Sequence, residues 1–348
     1  MTKNDDFFMH RAIELAELGG VSVAPNPKVG AVIVHNGEII GEGYHQQYGG
    51  PHAEVNAVNS VKDKNLLKEA TIYVSLEPCS HYGKTPPCCD LLIKHQFKRV
   101  VIGNTDPNPV VNGKGIERLK SAGIEVCVGV LEKECAFMNR RFLTFQREKR
   151  PYIILKWAET ADGFIDFERK EGSPREIHVI FGEESHRLVH QWRSEEQAIL
   201  VGWKTIQNDD PQLNVRLVDG KSPIRIILDS NLYAPHNSKV FIDGHPTIIY
   251  NKITNEIRNN LQYIQLKNVT FVKLFSSLFE KRIISVLVEG GRTTLNEFIQ
   301  HGKWDEIRRF RSKVKFGKGM KAPDIRQQVT TKNQTIIVGD DELDLFFR

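Results

Sequence analysis

The chain has 348 residues, of which 40% are apolar and 26% charged, with a formal net charge of +5 at pH 7. A chain of this length and composition is an ordinary globular protein of two domains, without a membrane span. Because 19 basic and 17 acidic residues precede residue 151, and 29 and 26 follow, neither half has the cationic excess of a nucleic-acid-binding module, which favours a small substrate.

The N-terminal segment is polar and acidic and lacks the basic start and apolar run of a signal peptide. The five cysteines include a pair at metal-type spacing, which fits a reducing compartment. We therefore expect a cytoplasmic protein.

The first elements alternate between helix and strand. Phe8, Ala12, Leu15, Ala16 and Leu18 predict one face of an amphipathic helix that ends at Gly19-Gly20. Residues 29–34 and 38–44 flank His35-Asn36-Gly37 and predict a β-hairpin. A second helix is predicted from His52 to about Val61, and a strand over residues 71–75.

A constellation of metal ligands begins at the second helix. His52 and Glu54 are followed by Cys79 and Cys88, each preceded by proline, in the order used by zinc deaminases. We expect His52, Cys79 and Cys88 to hold Zn²⁺ with one open position for an activated water. Glu54 is expected to stay off the metal and to carry a proton from water to the departing amine. The pattern predicts hydrolytic deamination.

The loop between the two thiols is longer than the usual two residues. The prolines before Cys88 suit a rigid return into a helix, whose N-terminus favours a thiolate. Cys89 remains an alternative ligand to Cys88, whereas Cys127 and Cys135 are expected to be core residues.

Further alternation predicts a three-layer α/β domain. After the helix at Cys88 we expect strands over 100–103 and 124–128, with a helix over 116–121 between them. Pro151 follows a basic stretch and marks the domain boundary, giving domains 1–150 and 151–348.

The second half again predicts an α/β sheet. Strands are expected over residues 152–157, 198–202, 224–229, 247–250 and 284–289, and helices over 183–192 and 293–301. The strand ending at Glu289 leads through Gly290-Gly291 into a helix. The glycine pair can expose backbone N–H groups to the phosphates of a dinucleotide, or it can serve only to make a tight turn. Lys313, Lys315, Lys318 and Lys321 are interpreted as a solvated face.

The first half closely resembles the deaminase half of the bifunctional riboflavin-biosynthesis deaminase/reductase, the RibD family. The resemblance rests on the motifs at residues 24–30, 43–45, 52–54, 77–81, 85–89 and 106–109. It implies a cytidine-deaminase-like fold acting on 2,5-diamino-6-(5-phosphoribosylamino)pyrimidin-4-one, with Asn26, His45, His81 and Lys84 lining the substrate pocket. From the residues alone, Asn26 can be a turn residue, His45 a strand cap and Lys84 a solvated loop charge.

The second half resembles the reductase domain of the same family, which is similar to dihydrofolate reductase. The resemblance rests on Lys156, on residues 162–163, 193, 205, 208–213, 216 and 229–230, and on the Gly pair. It implies that NADPH reduces the ribosyl group to a ribityl chain. The implied NADPH contacts are Ala158, Thr205, Asp209, Ser230, Gly291, Arg292, Thr293, Thr294, Leu295, Asn296 and Glu297. The implied substrate contacts are Arg193, Leu213, Arg216 and Glu289. Residues 208–211 can equally be a capped turn.

The chain departs from the family at one segment. Where a Ser-x-Trp-Ile sequence is usual, it has Ile177-His178-Val179-Ile180. The Ser and Trp assigned to substrate and cofactor are therefore absent, so either Glu176 or His178 compensates or the reductase is impaired. We expect retained activity, because the other motifs are intact.

Two other classes of function are considered. A nucleic-acid-editing zinc deaminase predicts salt-sensitive RNA binding, which the charge balance disfavours. A zinc-stabilised binding protein predicts a closed site with four ligands and leaves Glu54 without a purpose. We expect the chain to form a homodimer or a higher homo-oligomer, since closed twofold assemblies are commonest.

Overall fold

The computed structural model describes residues 3–82, 86–108, 111–169, 174–175, 177–326, 328 and 334–348. Lys84 and Glu176, for which the sequence predicts roles, lie outside the described residues. The chain divides into two compact units, Met1–Arg150 and Pro151–Arg348. Within the described part of the chain, no helix has both the length and the apolar character needed to cross a bilayer.

The first unit alternates helices with strands. Its helices are α1 (Lys3–Glu17), α2 (Ala53–Ser60), α3 (Cys88–Lys94), α4 (Lys114–Ser121), α5 (Glu132–Met138) and α6 (Arg140–Glu148), with short 3₁₀ helices over Gly20–Val23 and Lys64–Glu69. Its strands are β1 (Gly30–His35), β2 (Glu38–Tyr44), β3 (Thr71–Leu76), β4 (Arg99–Asn104) and β5 (Glu125–Val128). The predicted elements therefore exist with boundaries shifted by a few residues, although Leu18 lies outside α1 and is exposed.

The five strands form one sheet in the order β2-β1-β3-β4-β5. β1 pairs antiparallel with β2 and β3, whereas β3, β4 and β5 are parallel. One apolar cluster joins α1 and α5 to a sheet face, and another joins α2, α3 and α4 to the opposite face. Helices on both faces make this unit the predicted three-layer domain.

Helix α2 packs so closely on β2 that a side chain has no room between them. A Cβ added at Gly43 would lie 2.2 Å from the backbone nitrogen of Ala57. This approach fixes the N-terminal end of α2, where His52 and Glu54 lie, against the edge of the sheet.

The second unit contains more elements than the sequence predicts. Its helices are α7 (Glu183–Glu195), α8 (Trp203–Asp209), α9 (Lys239–Ile242), α10 (Phe271–Glu280) and α11 (Arg292–Gln300). Its strands are β6 (Tyr152–Glu159), β7 (Phe164–Asp166), β8 (Ala198–Gly202), β9 (Ile224–Leu228), β10 (Thr247–Asn251), β11 (Glu256–Arg258), β12 (Leu261–Gln265), β13 (Ser285–Gly290), β14 (Glu306–Arg311), β15 (Met320–Lys321), β16 (Gln334–Val338) and β17 (Asp341–Phe347).

Ten of these strands form a mixed sheet in the order β11-β12-β10-β9-β8-β13-β6-β14-β17-β16. The strands from β12 to β14 are parallel, and antiparallel strands close both edges. Helices α10 and α11 cover one face, and α7 and α8 pack against apolar clusters on the other. The carboxyl ends of β6, β13, β8 and β9 therefore lie side by side at one sheet edge, the usual place for a ligand site in such folds.

The four late lysines are exposed, as predicted. Lys313 donates to Asp340, and the ammonium of Lys321 lies 4.2 Å from the ring centroid of Phe164.

Candidate active sites

Three candidate zinc ligands converge at the edge of the first sheet. The Nδ1 atom of His52 lies 3.5 Å from the sulfur of Cys79 and 3.3 Å from that of Cys88. The donor atoms of these three residues all lie within 4.8 Å of one another. An imidazole and two thiols in this arrangement fit Zn²⁺ with three protein ligands and leave its fourth position open.

The local folding of the chain brings the three ligands together. His52 is the N-cap of α2, Cys88 begins α3, and Cys79 lies in the loop that follows β3. The backbone N–H of Cys88 donates to the sulfur of Cys79 at 3.2 Å, so the start of α3 favours a thiolate there.

Cys89 does not join the cluster. Its buried thiol donates to the carbonyl of Pro78 at 3.3 Å and approaches that of Gly115 at 3.6 Å. It packs in the apolar cluster beneath α3. The geometry thus favours Cys88 over Cys89 as a ligand.

The electrostatics of the cluster favour a charged thiol beside a charged imidazole. Hydrogen bonding from the Cys88 thiol, with help from His52, lowers the pKa of Cys79 to about 4. The hydrogen bond to Cys79 raises the pKa of His52 to about 9. The hydrogen bond that the Cys88 thiol makes to Cys79, together with burial, raises the pKa of Cys88. One thiol is therefore already prepared to bind a cation.

Glu54 lies in the first turn of α2, two residues after His52, and is 3% exposed. Burial raises its pKa, although the neighbouring His52 opposes the shift. It is not one of the three clustered donors. A carboxyl group with a raised pKa beside the metal position is able both to accept and to return a proton.

Asn26 and His45 form a connected pair next to His52. His45 is buried, and its ring lies edge-on to that of His52 with 5.5 Å between centroids. The Nδ1 atom of His45 lies 2.9 Å from the carbonyl of Pro51, so it must carry the proton. Its Nε2 atom then accepts a hydrogen bond from the amide nitrogen of Asn26 at 3.1 Å. Burial lowers the pKa of His45, which keeps this ring neutral.

His81 lies on the loop after Cys79 with an exposed side chain. Lys84, in the same loop, falls outside the described residues. The expected substrate contacts of both remain predictions.

Sequence reasoning missed two residues that hold the first site in place. The side-chain amide of Asn139 donates to the carbonyl of Lys28 at 2.8 Å and accepts from the Lys28 N–H at 2.9 Å, which anchors the segment carrying Asn26. The buried carboxylate of Glu77 accepts four backbone N–H groups, from Asp106, Gly113, Gly115 and Ile116. The residues next to Glu77 are Pro78 and Cys79, so this anchor fixes the start of the ligand loop.

The second unit has a cavity of about 360 Å³ at the carboxyl ends of its central strands. Its lining includes Ala158, Thr205, Asp209 and the run from Gly291 to Leu295. Three expected NADPH contacts, Ser230, Asn296 and Glu297, are not among the residues that line it. Glu297 is exposed, and its carboxylate lies 3.7 Å from His301.

A buried ion cluster contributes Lys156 and Glu289 to the lining of this cavity. Arg193 binds Glu289 through two nitrogens, at 2.7 and 2.8 Å, and the ammonium of Lys156 lies 3.7 Å from the same carboxylate. Although burial acts in the opposite direction, these two cations lower the pKa of Glu289 to about 2. Glu289 is therefore an anion at any physiological pH.

A second cavity, of about 150 Å³, shares residues with the first, among them Lys156, Thr205 and Glu289. Leu213 and Arg216 line it beside Arg193. The backbone N–H of Arg216 donates to Nδ1 of His190 at 3.2 Å, and its side chain donates to Asn214 at 3.1 Å. The expected substrate contacts of this unit therefore surround a single space.

Asp209 lies on the wall between the two cavities. Its carboxylate accepts a hydrogen bond from Arg169 at 2.9 Å. Burial raises the pKa of Asp209 to about 6, although Arg169 opposes the shift. Sequence reasoning missed Arg169, which has no motif of its own to mark it.

The segment that departs from the family lies at the junction of the two cavities. Ile177 and His178 line both of them. The ring of His178 lies edge-on to that of Phe167, with 4.9 Å between centroids, and Phe167 stacks on Phe316 at 3.8 Å. A ring is therefore present at the junction without the family's tryptophan.

Comparisons with known proteins agree with this division. Residues 2–104 match the model of the cytidine and deoxycytidylate deaminase zinc-binding region, and residues 151–339 match that of the RibD C-terminal domain. The riboflavin biosynthesis protein RibD of Aquifex aeolicus is 40% identical over 99% of this chain and 98% of its own length. RibD of Escherichia coli is 38% identical over 87% of this chain and 86% of its own length.

Solved structures show the same similarity. A Thermotoga maritima protein, described as a diaminohydroxyphosphoribosylaminopyrimidine deaminase/5-amino-6-(5-phosphoribosylamino)uracil reductase, superposes with a TM-score of 0.88 at 38% identity. That match covers 99% of this chain and 98% of the other. RibD of Acinetobacter baumannii gives a TM-score of 0.88 at 34% identity over 99% of both chains. This chain belongs to the RibD family of bifunctional riboflavin-biosynthesis proteins.

Proposed function

We propose that the chain catalyses two successive steps of riboflavin biosynthesis, a hydrolytic deamination in the first unit and an NADPH-dependent reduction in the second. The substrate proposed for the first step is 2,5-diamino-6-(5-phosphoribosylamino)pyrimidin-4-one, as the name of the Thermotoga maritima protein suggests. The observation that carries the proposal is the convergence of His52, Cys79 and Cys88 beside the buried carboxyl group of Glu54.

In the deamination, bound zinc supplies Lewis acidity and lowers the pKa of a water molecule. His52, Cys79 and Cys88 hold the metal. Glu54 accepts the proton of the attacking water and gives it to the departing amine, which its raised pKa permits. The amide of Asn26, held by the neutral ring of His45, orients the pyrimidine.

In the reduction, NADPH supplies a hydride. The peptide groups after Glu289 begin α11, and such a helix start suits the phosphates of a dinucleotide. Arg216 binds the terminal phosphate of the substrate, because Arg193 already donates from the edge of its guanidinium group to Glu289. The shared wall of the two cavities would hold the nicotinamide ring and the ribose side by side.

His178 takes the place of the missing aromatic residue at the junction of the cavities. It lines both spaces, and Phe167 restricts its ring. A second candidate function, a deaminase with an impaired reductase, is favoured by the exposed side chains of Ile177 and Val179 in the same segment.

One experiment tests both halves. Zinc-loaded protein is incubated with the diaminopyrimidinone ribosyl phosphate, and ammonia release is recorded before NADPH is added and NADPH oxidation afterwards. Both signals, in that order, are expected. Ammonia without NADPH oxidation would favour the impaired-reductase alternative, and no ammonia despite bound zinc would contradict the proposed substrate.

A further inference from the structure

Two cations at the mouth of the larger cavity have no acidic partner among the residues that the structure describes. The carboxylates that line the cavity are Asp166, Asp209 and Glu289, and each already pairs with Arg169, Arg193 or Lys156. Lys204 and Arg292 also line the cavity, and within the described part of the chain neither forms an ion pair. The mouth therefore carries positive charge that a bound anion can neutralise.

The two cations occupy different places along the sheet. Arg292 is the first residue of α11, directly after β13, whereas Lys204 follows β8 on the side of β9. The wall shared with the smaller cavity includes Lys156 of β6, Glu289 of β13 and, from α8, Asp209 at the opposite end of that helix from Trp203 and Lys204. A dinucleotide with its reactive ring at that wall and its pyrophosphate beside Arg292 can place its adenosine end against Trp203 and Lys204, which line the same cavity.

An aromatic surface adjoins Lys204. Trp203 lines the cavity, and the edge-on ring of Tyr233 supports it with 5.2 Å between centroids. The ammonium of Lys204 lies 5.7 Å from the centroid of the Trp203 ring. A flat apolar ring beside a free cation suits a nucleobase whose ribose carries a phosphate.

We propose that Trp203 and Lys204 bind the 2′-phosphorylated adenosine end of NADPH, and that Lys204 makes the second unit prefer NADPH to NADH. This inference rests on the proposed reductase function and deepens it by naming what selects the cofactor. Arg292 lies nearer the pyrophosphate, which NADPH and NADH share, so it does not discriminate between them.

The test is isothermal titration calorimetry of the full zinc-loaded chain with NADP⁺ and with NAD⁺. Lys204→Ala is expected to raise the Kd for NADP⁺ about tenfold, the loss of roughly one charge-assisted hydrogen bond, and to leave the Kd for NAD⁺ within about twofold. Lys204→Arg retains the charge and should restore most of the preference. Trp203→Ala should weaken both dinucleotides.

Lys221→Ala is the matched control, since Lys221 is an exposed lysine of the same unit that does not line the cavity. Equal loss of NADP⁺ and NAD⁺ binding in Lys204→Ala, or no loss of either, would overturn the inference. A selective loss of NADP⁺ binding in Arg292→Ala with Lys204→Ala unchanged would transfer the role to Arg292. If the unsubstituted chain binds neither dinucleotide, the reductase function fails and the inference with it.

Discussion

Arg193 and Glu289 face each other as a two-point ion pair, with Nε donating to Oε1 at 2.7 Å and Nη2 donating to Oε2 at 2.8 Å. Both side chains are almost fully enclosed, at 12% and 8% exposure. Such a pair is costly to break, because the remaining charge is buried away from water and has lost its two-point partner.

We predict that Glu289→Gln destabilises the second unit by about 3 kcal/mol and abolishes the reduction, since Arg193 and Lys156 are then left as uncompensated charges. All four tryptophans lie beyond residue 150, so their fluorescence during urea unfolding reports on the second unit alone. Ammonia release should be unchanged. The control is Glu280→Gln, at an exposed position that lines neither cavity; equal stability and reduction rates in the two variants would refute the role given to Glu289.

Glu54→Gln is expected to keep zinc and to lower ammonia release by about 100-fold or more, the usual contribution of a general acid–base group. The amide has nearly the same shape as the carboxyl group but cannot carry the proton. Zinc content by atomic emission and ammonia release are the measurements, and reduction of supplied deaminated substrate is the internal control. Loss of zinc from this variant would make Glu54 a ligand and reject its assigned role.

The zinc motif and the central parallel strands could be predicted because their signals are local. A hairpin turn, a buried apolar run and a His-x-Glu segment each depend on a few neighbouring residues. The last strands could not be predicted, since the charged residues of β14 are typical of an exposed surface. Arg308 is nevertheless buried, because Glu306 and Glu196 neutralise it and its guanidinium lies over the ring of Trp192.

In the candidate sites, the residues expected from the family resemblance are not always those that line the cavity. Ser230 and Glu297 are expected from the family to touch NADPH, yet neither lines the cavity, whereas Arg169 does. Arg169 belongs to no motif of the sequence, so only its contact with Asp209 marks it. Cys88 was the predicted ligand and Cys89 the alternative, and the direction of each thiol, which the sequence of two adjacent cysteines does not contain, favours Cys88.

The two adjacent cysteines give a direct test of the ligand set. Cys88→Ser should lower zinc affinity by about 100-fold or more, because one of only three protein ligands loses its thiolate. Cys89→Ala should retain zinc and cost about 1 kcal/mol, since it removes a small buried side chain. Competition with a chromophoric chelator measures both affinities. If Cys89→Ala lost zinc and Cys88→Ser did not, the assigned ligand would be wrong.

Glu77→Gln is expected to destabilise the first unit by roughly 2–3 kcal/mol, because the amide presents a donor to backbone N–H groups that are themselves donors. The loop after Glu77 carries Cys79, so zinc should also dissociate faster. Far-UV circular dichroism during unfolding should show an earlier transition, while tryptophan fluorescence, which reports on the second unit, stays unchanged. Glu69→Gln, at an exposed position before β3, serves as the control. An unaltered first transition would show that the four N–H contacts contribute little.

Acidification should weaken the second unit through His190. Burial, together with Arg193 and Arg216, lowers the pKa of this histidine from 6.5 to about 4. Between these values the unfolded chain takes up a proton that the folded chain does not, so stability falls as the pH drops from above 6.5 towards 4. The urea midpoint, followed by tryptophan fluorescence, should therefore be lower at about pH 5 than at about pH 7.5.

His190→Asn keeps an acceptor for the Arg216 N–H but removes the titration, so its urea midpoint should change less with pH than that of the unsubstituted chain. The dependence should shrink rather than vanish, because burial also lowers the pKa of His186. An equal pH dependence in both proteins would mean that His190 has the same pKa in the folded chain as in the unfolded chain. That result would also argue against the hydrogen bond by which the His190 ring positions the backbone N–H of Arg216.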